Sequence, residues 1–166
     1  MHLMKGWRVL CVVLGLGLIA LCACGSESAC GPSAGVVSRV VDGDTLVLQS
    51  GERVRYLLVD TPESTGGKLE CFGTEARDFN RSLVEGRLVQ LEYSEACTDR
   101  YGRLLAYVTV DGQEVNSLLA EGGYACVLYV SPAGKSRRSE FEALESSARR
   151  AMRGMWGRCS PVSCAR

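Results

Sequence analysis

Beyond residue 35 the chain alternates short β-branched and aliphatic runs with glycine-bearing turns. Residues 36–41 and 45–49 flank Asp42-Gly43-Asp44, turn chemistry that joins antiparallel strands. Residues 53–59 follow Ser50-Gly51, so three strands form a meander. The apolar period then lengthens: Ala76, Phe79, Leu83 and Val84 recur at helical spacing, with Thr74 as N-cap, Glu75 in the first turn and Gly86 as the stop. Residues 88–93 and 104–110 return to strand character. Val115, Leu118 and Leu119 predict a second helix ending at Gly122. Ser139 and Glu142 form a capping-box pair that opens a third, running through Phe141, Leu144, Ala148 and Met152 to Gly154.

The string predicts an α+β domain, mainly β, with one helix between the third and fourth strands and two after the fifth. A small closed barrel of the OB type fits it. An open antiparallel sheet with helices on one face fits it equally, and periodicity does not choose between them.

Ahead of the domain, Lys5 and Arg8 precede an apolar and glycine stretch over residues 9–21, too short to span a bilayer and shaped like a secretory signal. It closes on Leu21-Cys22-Ala23-Cys24, which resembles a bacterial lipobox. Residues 1–23 are expected to be removed and Cys24 acylated, attaching the protein to a membrane at the cell envelope; Cys22 is the weaker candidate, behind the bulky Leu21. Residues 24–35 are small and polar and are expected to act as a flexible tether, with the domain over 36–158 and a tail over 159–166.

Removing the signal changes the charge. Lys5 and Arg8 leave with it while all nineteen acidic residues remain, so 17 basic residues face 19 acidic ones and the net is −2. A protein that grips many phosphates is normally basic, so affinity for nucleic acid has to come from a local cluster. Of nine cysteines, Cys30, Cys71, Cys97, Cys126, Cys159 and Cys164 remain after the signal and the acylation site. In an exported protein an even number of cysteines reads as disulfides; no Cys-x-x-Cys pair exists and the single histidine, His2, lies in the signal, which disfavours zinc. Cys71 with Cys97, and less strongly Cys159 with Cys164, are the expected pairs.

The chemistry concentrates in Arg55-Tyr56-Leu57-Leu58-Val59-Asp60-Thr61-Pro62-Glu63, a strand running into a proline-fixed turn that carries two carboxylates. With Asp44 in the first hairpin turn these offer hard oxygen donors of the kind calcium takes, although an aspartate in such a turn is by itself ordinary turn chemistry. Asp42-Gly43-Asp44-Thr45, the stretch from Arg55 to Glu63, and Asp99-Arg100-Tyr101-Gly102-Arg103-Leu104-Leu105-Ala106-Tyr107 together resemble, in order, three signature blocks of the staphylococcal nuclease (thermonuclease) family. The resemblance runs from about residue 36 to residue 156 and implies a five-stranded OB-fold barrel with three helices and calcium-dependent hydrolysis of DNA and RNA, with single-stranded or frayed chains as substrate and a monomer as the working form.

Carried over by position, the resemblance makes Asp44 and Asp60 calcium carboxylates with the Thr61 carbonyl beside them, Glu63 the general base, and Arg55 and Arg103 the catalytic arginines. Tyr101 and Tyr129 become substrate contacts, and Ser131 stands where the type member has a further tyrosine. An odd separation puts Arg55 and Asp60 on opposite faces of a straight strand, so the chain has to leave strand geometry before Asp60. Lys135-Ser136-Arg137-Arg138 reads as a solvated charge run or as a phosphate-binding patch. The competing function is a non-catalytic OB-fold module that holds nucleic acid or protein at the envelope.

Overall fold

The computed structural model describes residues 29–164; the expected signal and the acylation site Cys24 lie outside the described residues. Strands β1 (Ala34–Asp42), β2 (Thr45–Leu48) and β3 (Arg53–Tyr56) form the expected antiparallel meander. Helix α1 (Gly73–Val84) leads into β5 (Leu88–Thr98) and β6 (Leu104–Val110), while β4 (Val59–Asp60) lies between β3 and α1. The chain ends with β7 (Gln113–Glu114), α2 (Val115–Glu121), β8 (Cys126–Val127), a 3₁₀ turn over Lys135–Arg137, α3 (Arg138–Arg150) and the single turn α4 (Met155–Arg158).

Closure is decided by one pairing. β1 pairs β5, β5 pairs β6, and β3 then meets β6 in parallel, Val54 opposite Leu104 and Tyr56 opposite Ala106. The sheet therefore has no free edge between β3 and β6, and the fold is a closed five-stranded mixed barrel of the OB type, mainly β, with helices α1, α2 and α3 around it. Val37, Leu46, Leu48, Val54, Val89 and Val108 fill its interior. Each is an aliphatic side chain buried to 1 % exposure or less, and burial of this kind contributes roughly 1.5–3 kcal/mol per side chain.

The run expected as one strand over 53–59 is split. Leu58 takes φ 62, a left-handed conformation unusual for a branched side chain, so β3 stops at Tyr56 and β4 leaves the barrel to pair with β8. Buried Asn116 on α2 holds the break: its Nδ2 donates to the Leu57 carbonyl at 3.0 Å and to the Ala106 carbonyl at 3.2 Å, while its Oδ1 accepts the Val108 N–H at 2.9 Å. Asn116→Leu keeps the volume but removes the partner of the Leu57 carbonyl and of the Val108 N–H, while the Ala106 carbonyl keeps the Leu57 N–H. The substitution is expected to lower stability by about 3 kcal/mol; urea denaturation giving a midpoint equal to wild type would remove this role.

Two helix starts differ from expectation. α1 begins at Gly73 behind Phe72, which has φ 72 and no side-chain cap, so Thr74 lies inside the helix. α3 continues from the 3₁₀ turn, and Glu142 pairs with Arg138 at 2.7 Å instead of capping Ser139. In both cases the preceding backbone already sets the entry to the helix, leaving no role for a capping side chain.

The cysteine pairing also differs. Cys71 joins Cys159, Cys97 joins Cys30, and Cys126 joins Cys164, so neither expected pair forms. The segment before β1 continues antiparallel along β5, with the Leu91 N–H donating to the Ser33 carbonyl and the Tyr93 hydroxyl to the Pro32 carbonyl. That path carries Cys30 to Cys97, and the end of the presumed tether is part of the domain. The presumed tail is likewise bridged to it at Cys159 and Cys164.

Candidate active site

A cleft of about 620 Å³ opens where the β1–β2 turn, the β4 segment and the β5–β6 loop converge. Its polar half is lined by Asp42, Asp44, Arg55, Asp60, Thr61, Glu63, Asp99, Arg100 and Arg103, its apolar half by Ala96, Leu105, Leu128, Val130, Pro132 and Ala133. Arg55, Glu63, Arg103, Asp44, Asp60 and Thr61, far apart in sequence, therefore share one cavity.

Arg55 is almost fully buried and stands between two aspartates. Its Nη2 donates to Asp60 Oδ1 at 2.7 Å, and its Nη1 forms an ion pair with Asp44 Oδ2 at 2.5 Å. Burial pushes its pKa down, but Asp44, Asp60 and Asp42 outweigh that and raise it. The odd separation of Arg55 and Asp60 is resolved by Leu58: the left-handed residue turns the chain so that Asp60 comes back to the arginine's face. Asp44 Oδ2 also accepts the Thr61 N–H at 2.8 Å and the Thr61 hydroxyl at 3.0 Å. Gly43 permits this approach, since a Cβ there would lie 2.6 Å from the Thr61 side chain.

Arg103 is set by Asp99, whose Oδ2 accepts from Nε and Nη2 at 2.7 Å each and whose Oδ1 accepts the Arg103 and Tyr101 N–H groups. Burial pushes the Asp99 carboxyl up, and the bonds from the Arg103 N–H and guanidinium and the Tyr101 N–H overcome this and hold it below the ordinary range. Arg103 Nη1 reaches toward the Thr45 hydroxyl at 3.4 Å, so it faces the same turn as Asp44. Glu63 is exposed at the cleft edge.

Five carboxylates and three arginines line the cavity, a surplus of two negative charges. Burial, and then the neighbouring Asp44 carboxylate, pushes the Asp42 pKa up to about 7. An acid whose folded pKa is raised binds its proton more tightly folded than unfolded. In chelator, stability contributed by Asp42 is full below about 3.8 and is lost as pH rises through about 7. Asp42→Asn is expected to flatten stability against pH in that window; an unchanged slope in thermal melts would contradict the assignment.

The family model described as "Staphylococcal nuclease homologue" matches residues 53–158. The chain belongs to the staphylococcal nuclease family. It is 37% identical over 133 residues to "Endonuclease YncB" of Bacillus subtilis (strain 168), covering 76% of this chain and 63% of that protein. To "Thermonuclease" of Staphylococcus intermedius it is 34% identical over 128 residues, covering 74% of this chain and 76% of that one. To "SPbeta prophage-derived endonuclease YokF" of Bacillus subtilis (strain 168) it is 38% identical over 128 residues, 74% of this chain and 43% of that protein. The chain spans about three-fifths of the length of the first of these relatives.

Within this member of the nuclease family the two tyrosines part company. Tyr101 is 68% exposed at the cleft, its ring beside the guanidinium groups of Arg100 and Arg103 at 4.8 and 5.6 Å. Tyr129 does not line the cleft; it packs against the core with the Arg138 guanidinium 4.9 Å from its ring centre. Its neighbours Leu128 and Val130 line the cavity instead, with Ser131 beside them. Extended chain turns alternate side chains to opposite sides, so Tyr129 faces away from the wall that Leu128 and Val130 form. In the charge run over residues 135–138, Arg137 is paired with Glu114 and Glu140 and Arg138 with Glu142. Asp42, Asp99, Leu128 and Val130 were not singled out from sequence. Asp42 and Asp99 stand in turn motifs of the sequence without a role attached to them, and Leu128 and Val130 leave no trace there.

Proposed function

We propose that this protein hydrolyses phosphodiester bonds of DNA and RNA, with calcium as its metal, at a cell envelope to which acylated Cys24 attaches it. The observation that carries the reading is the convergence of Arg55, Glu63, Arg103, Asp44, Asp60 and Thr61 on one cleft. Glu63, at the exposed edge, is placed to orient a water and take its proton as it attacks phosphorus. Arg55 and Arg103 offer fixed forks that stay charged at any working pH and hold phosphate oxygens. The adjoining apolar wall, with Tyr101 at its lip, suits a nucleobase face.

The donor set fits calcium. Asp44 and Asp60 supply hard oxygens, Thr61 is bonded to Asp44, and the surplus of negative charge matches a divalent cation. Calcium bound there would polarise a phosphate oxygen and stabilise the charge that develops on it. Among the described residues, Cys126, Glu145 and Cys164 have ligand atoms within 4.8 Å of one another, but their sulfurs are joined in a disulfide. Three disulfides support an oxidising compartment and hence export. A site complete within one chain supports a working monomer.

Incubation with single-stranded DNA or RNA, with calcium or with chelator, tests the reading. Degradation that needs calcium is expected. Binding without degradation would instead make the barrel a nucleic-acid-holding module. Labelled fatty acid incorporated into wild type and not into Cys24→Ser is the corresponding test of the anchor.

A further inference from the structure

Glu63 lies at the start of an exposed loop whose tip is Gly66-Gly67-Lys68-Leu69, with both glycines in left-handed conformations. A loop of that composition has much conformational freedom to lose. Yet the Glu63 peptide is held at every polar atom. Its N–H donates to Glu70 Oε2 at 2.9 Å, and its carbonyl accepts the Glu70 N–H at 2.9 Å. These two bonds close the loop at its base.

The residues after Glu70 keep it there. Cys71 is bonded to Cys159 next to α4. Phe72 is left-handed, a strained state for an aromatic residue, and its ring packs on Tyr124 with centroids 5.4 Å apart. At Gly73 a Cβ would come within 2.4 Å of the Glu63 carbonyl oxygen, so helix α1 starts in direct apposition to that peptide. Glu70 does not line the cleft, and its carboxylate is engaged with the Glu63 N–H.

We propose that Glu70 is a positioning residue for Glu63 and that the Cys71–Cys159 disulfide fixes the segment from which it acts. The proposal rests on Glu63 serving as the base. Glu70 touches no substrate; it acts by keeping the Glu63 backbone, and hence its carboxylate, at one place on the cleft edge. A catalytic group displaced by about 1 Å loses on the order of 10²-fold in rate, and a Gly-Gly loop released at its base permits displacements of that size.

Steady-state hydrolysis of single-stranded DNA by the full oxidised chain in calcium tests this, with Glu63→Gln assayed alongside. Glu70→Ala is expected to lower kcat about tenfold or more with KM unchanged. Glu70→Gln keeps an oxygen that accepts the Glu63 N–H and is expected to retain nearly wild-type kcat. The double variant Cys71→Ser, Cys159→Ser is expected to lower kcat in the same direction. A wild-type kcat in Glu70→Ala, or a Glu70→Gln as impaired as Glu70→Ala, would overturn the proposal. If wild type proves inactive, the nuclease reading fails, and amide hydrogen exchange at Glu63 still decides the clamp. Protection present in wild type and Glu70→Gln and lost in Glu70→Ala supports it; equal protection in all three refutes it.

Discussion

Arg103→Ala is expected to lower the rate of nucleic-acid hydrolysis by on the order of 10²–10³ while leaving the protein folded. The guanidinium is 23% exposed, oriented by two 2.7 Å contacts to Asp99, and aimed toward the hydroxyl of Thr45 beside the acidic turn. A donor fixed before the reaction begins needs no reorganisation when charge develops on the phosphate, which is why its loss is felt mainly in kcat. Stability should change little, because Asp99 keeps the Arg103 and Tyr101 N–H groups as partners. Lysine is not expected to restore the rate: one ammonium cannot both satisfy Asp99 and hold two phosphate oxygens. Initial rates with thermal melts on the same samples check this. Wild-type turnover in Arg103→Ala would remove the residue from the reaction.

Arg55→Ala should behave differently, losing stability as well as activity. Its side chain is 11% exposed and stands between Asp44, 7% exposed, and Asp60, 23% exposed. Removing it leaves like charges together in a poorly solvated place with no counter-charge, a loss of about 3–5 kcal/mol in chelator. Calcium bound by the same carboxylates, as proposed, would supply the missing positive charge, so much of the loss should return as calcium is added. Calcium at a hundred times its dissociation constant adds about 2.7 kcal/mol. Urea denaturation of wild type and variant, each with calcium and with chelator, reads both effects. If the variant is equally unstable in the two conditions, calcium does not bind at Asp44 and Asp60.

The two arginines thus divide the work by burial. Arg55 is a structural cation of an acidic turn that also faces the cleft, and Arg103 is a partly exposed one aligned by its own loop. Catalytic assays alone would not separate these roles, since both variants are expected to be inactive; the calcium dependence of stability does.

The meander, the helix after it and the two later barrel strands were legible because each is written in local residue spacing: a two-residue period in strands, a longer one in helices, glycine and aspartate at the turns. Asp44, Arg55, Asp60, Glu63 and Arg103 were legible as a group through the order of three short blocks, and the structure places them around one cleft. Local pattern ended at Leu58. Its left-handed backbone, which brings Asp60 to Arg55, is held by Asn116 from a helix nearly sixty residues away. No spacing rule in the strand itself could have shown it.

The same reason separates the remaining successes and failures. Which strands pair, and so whether the sheet closes, depends on β3 meeting β6 across some fifty residues. Which cysteines join depends on where distant segments come to lie: Cys30 beside Cys97, Cys71 beside Cys159, and Cys126, opposite Asp60, beside Cys164. Whether Tyr129 or Val130 faces the cleft depends on register, where a shift of one residue exchanges the two sides. Sequence alone determined the elements and the chemical groups this protein carries, since those follow from interactions between near neighbours along the chain. Tertiary structure alone decided which groups meet, because contact between remote segments is set by how the whole core packs.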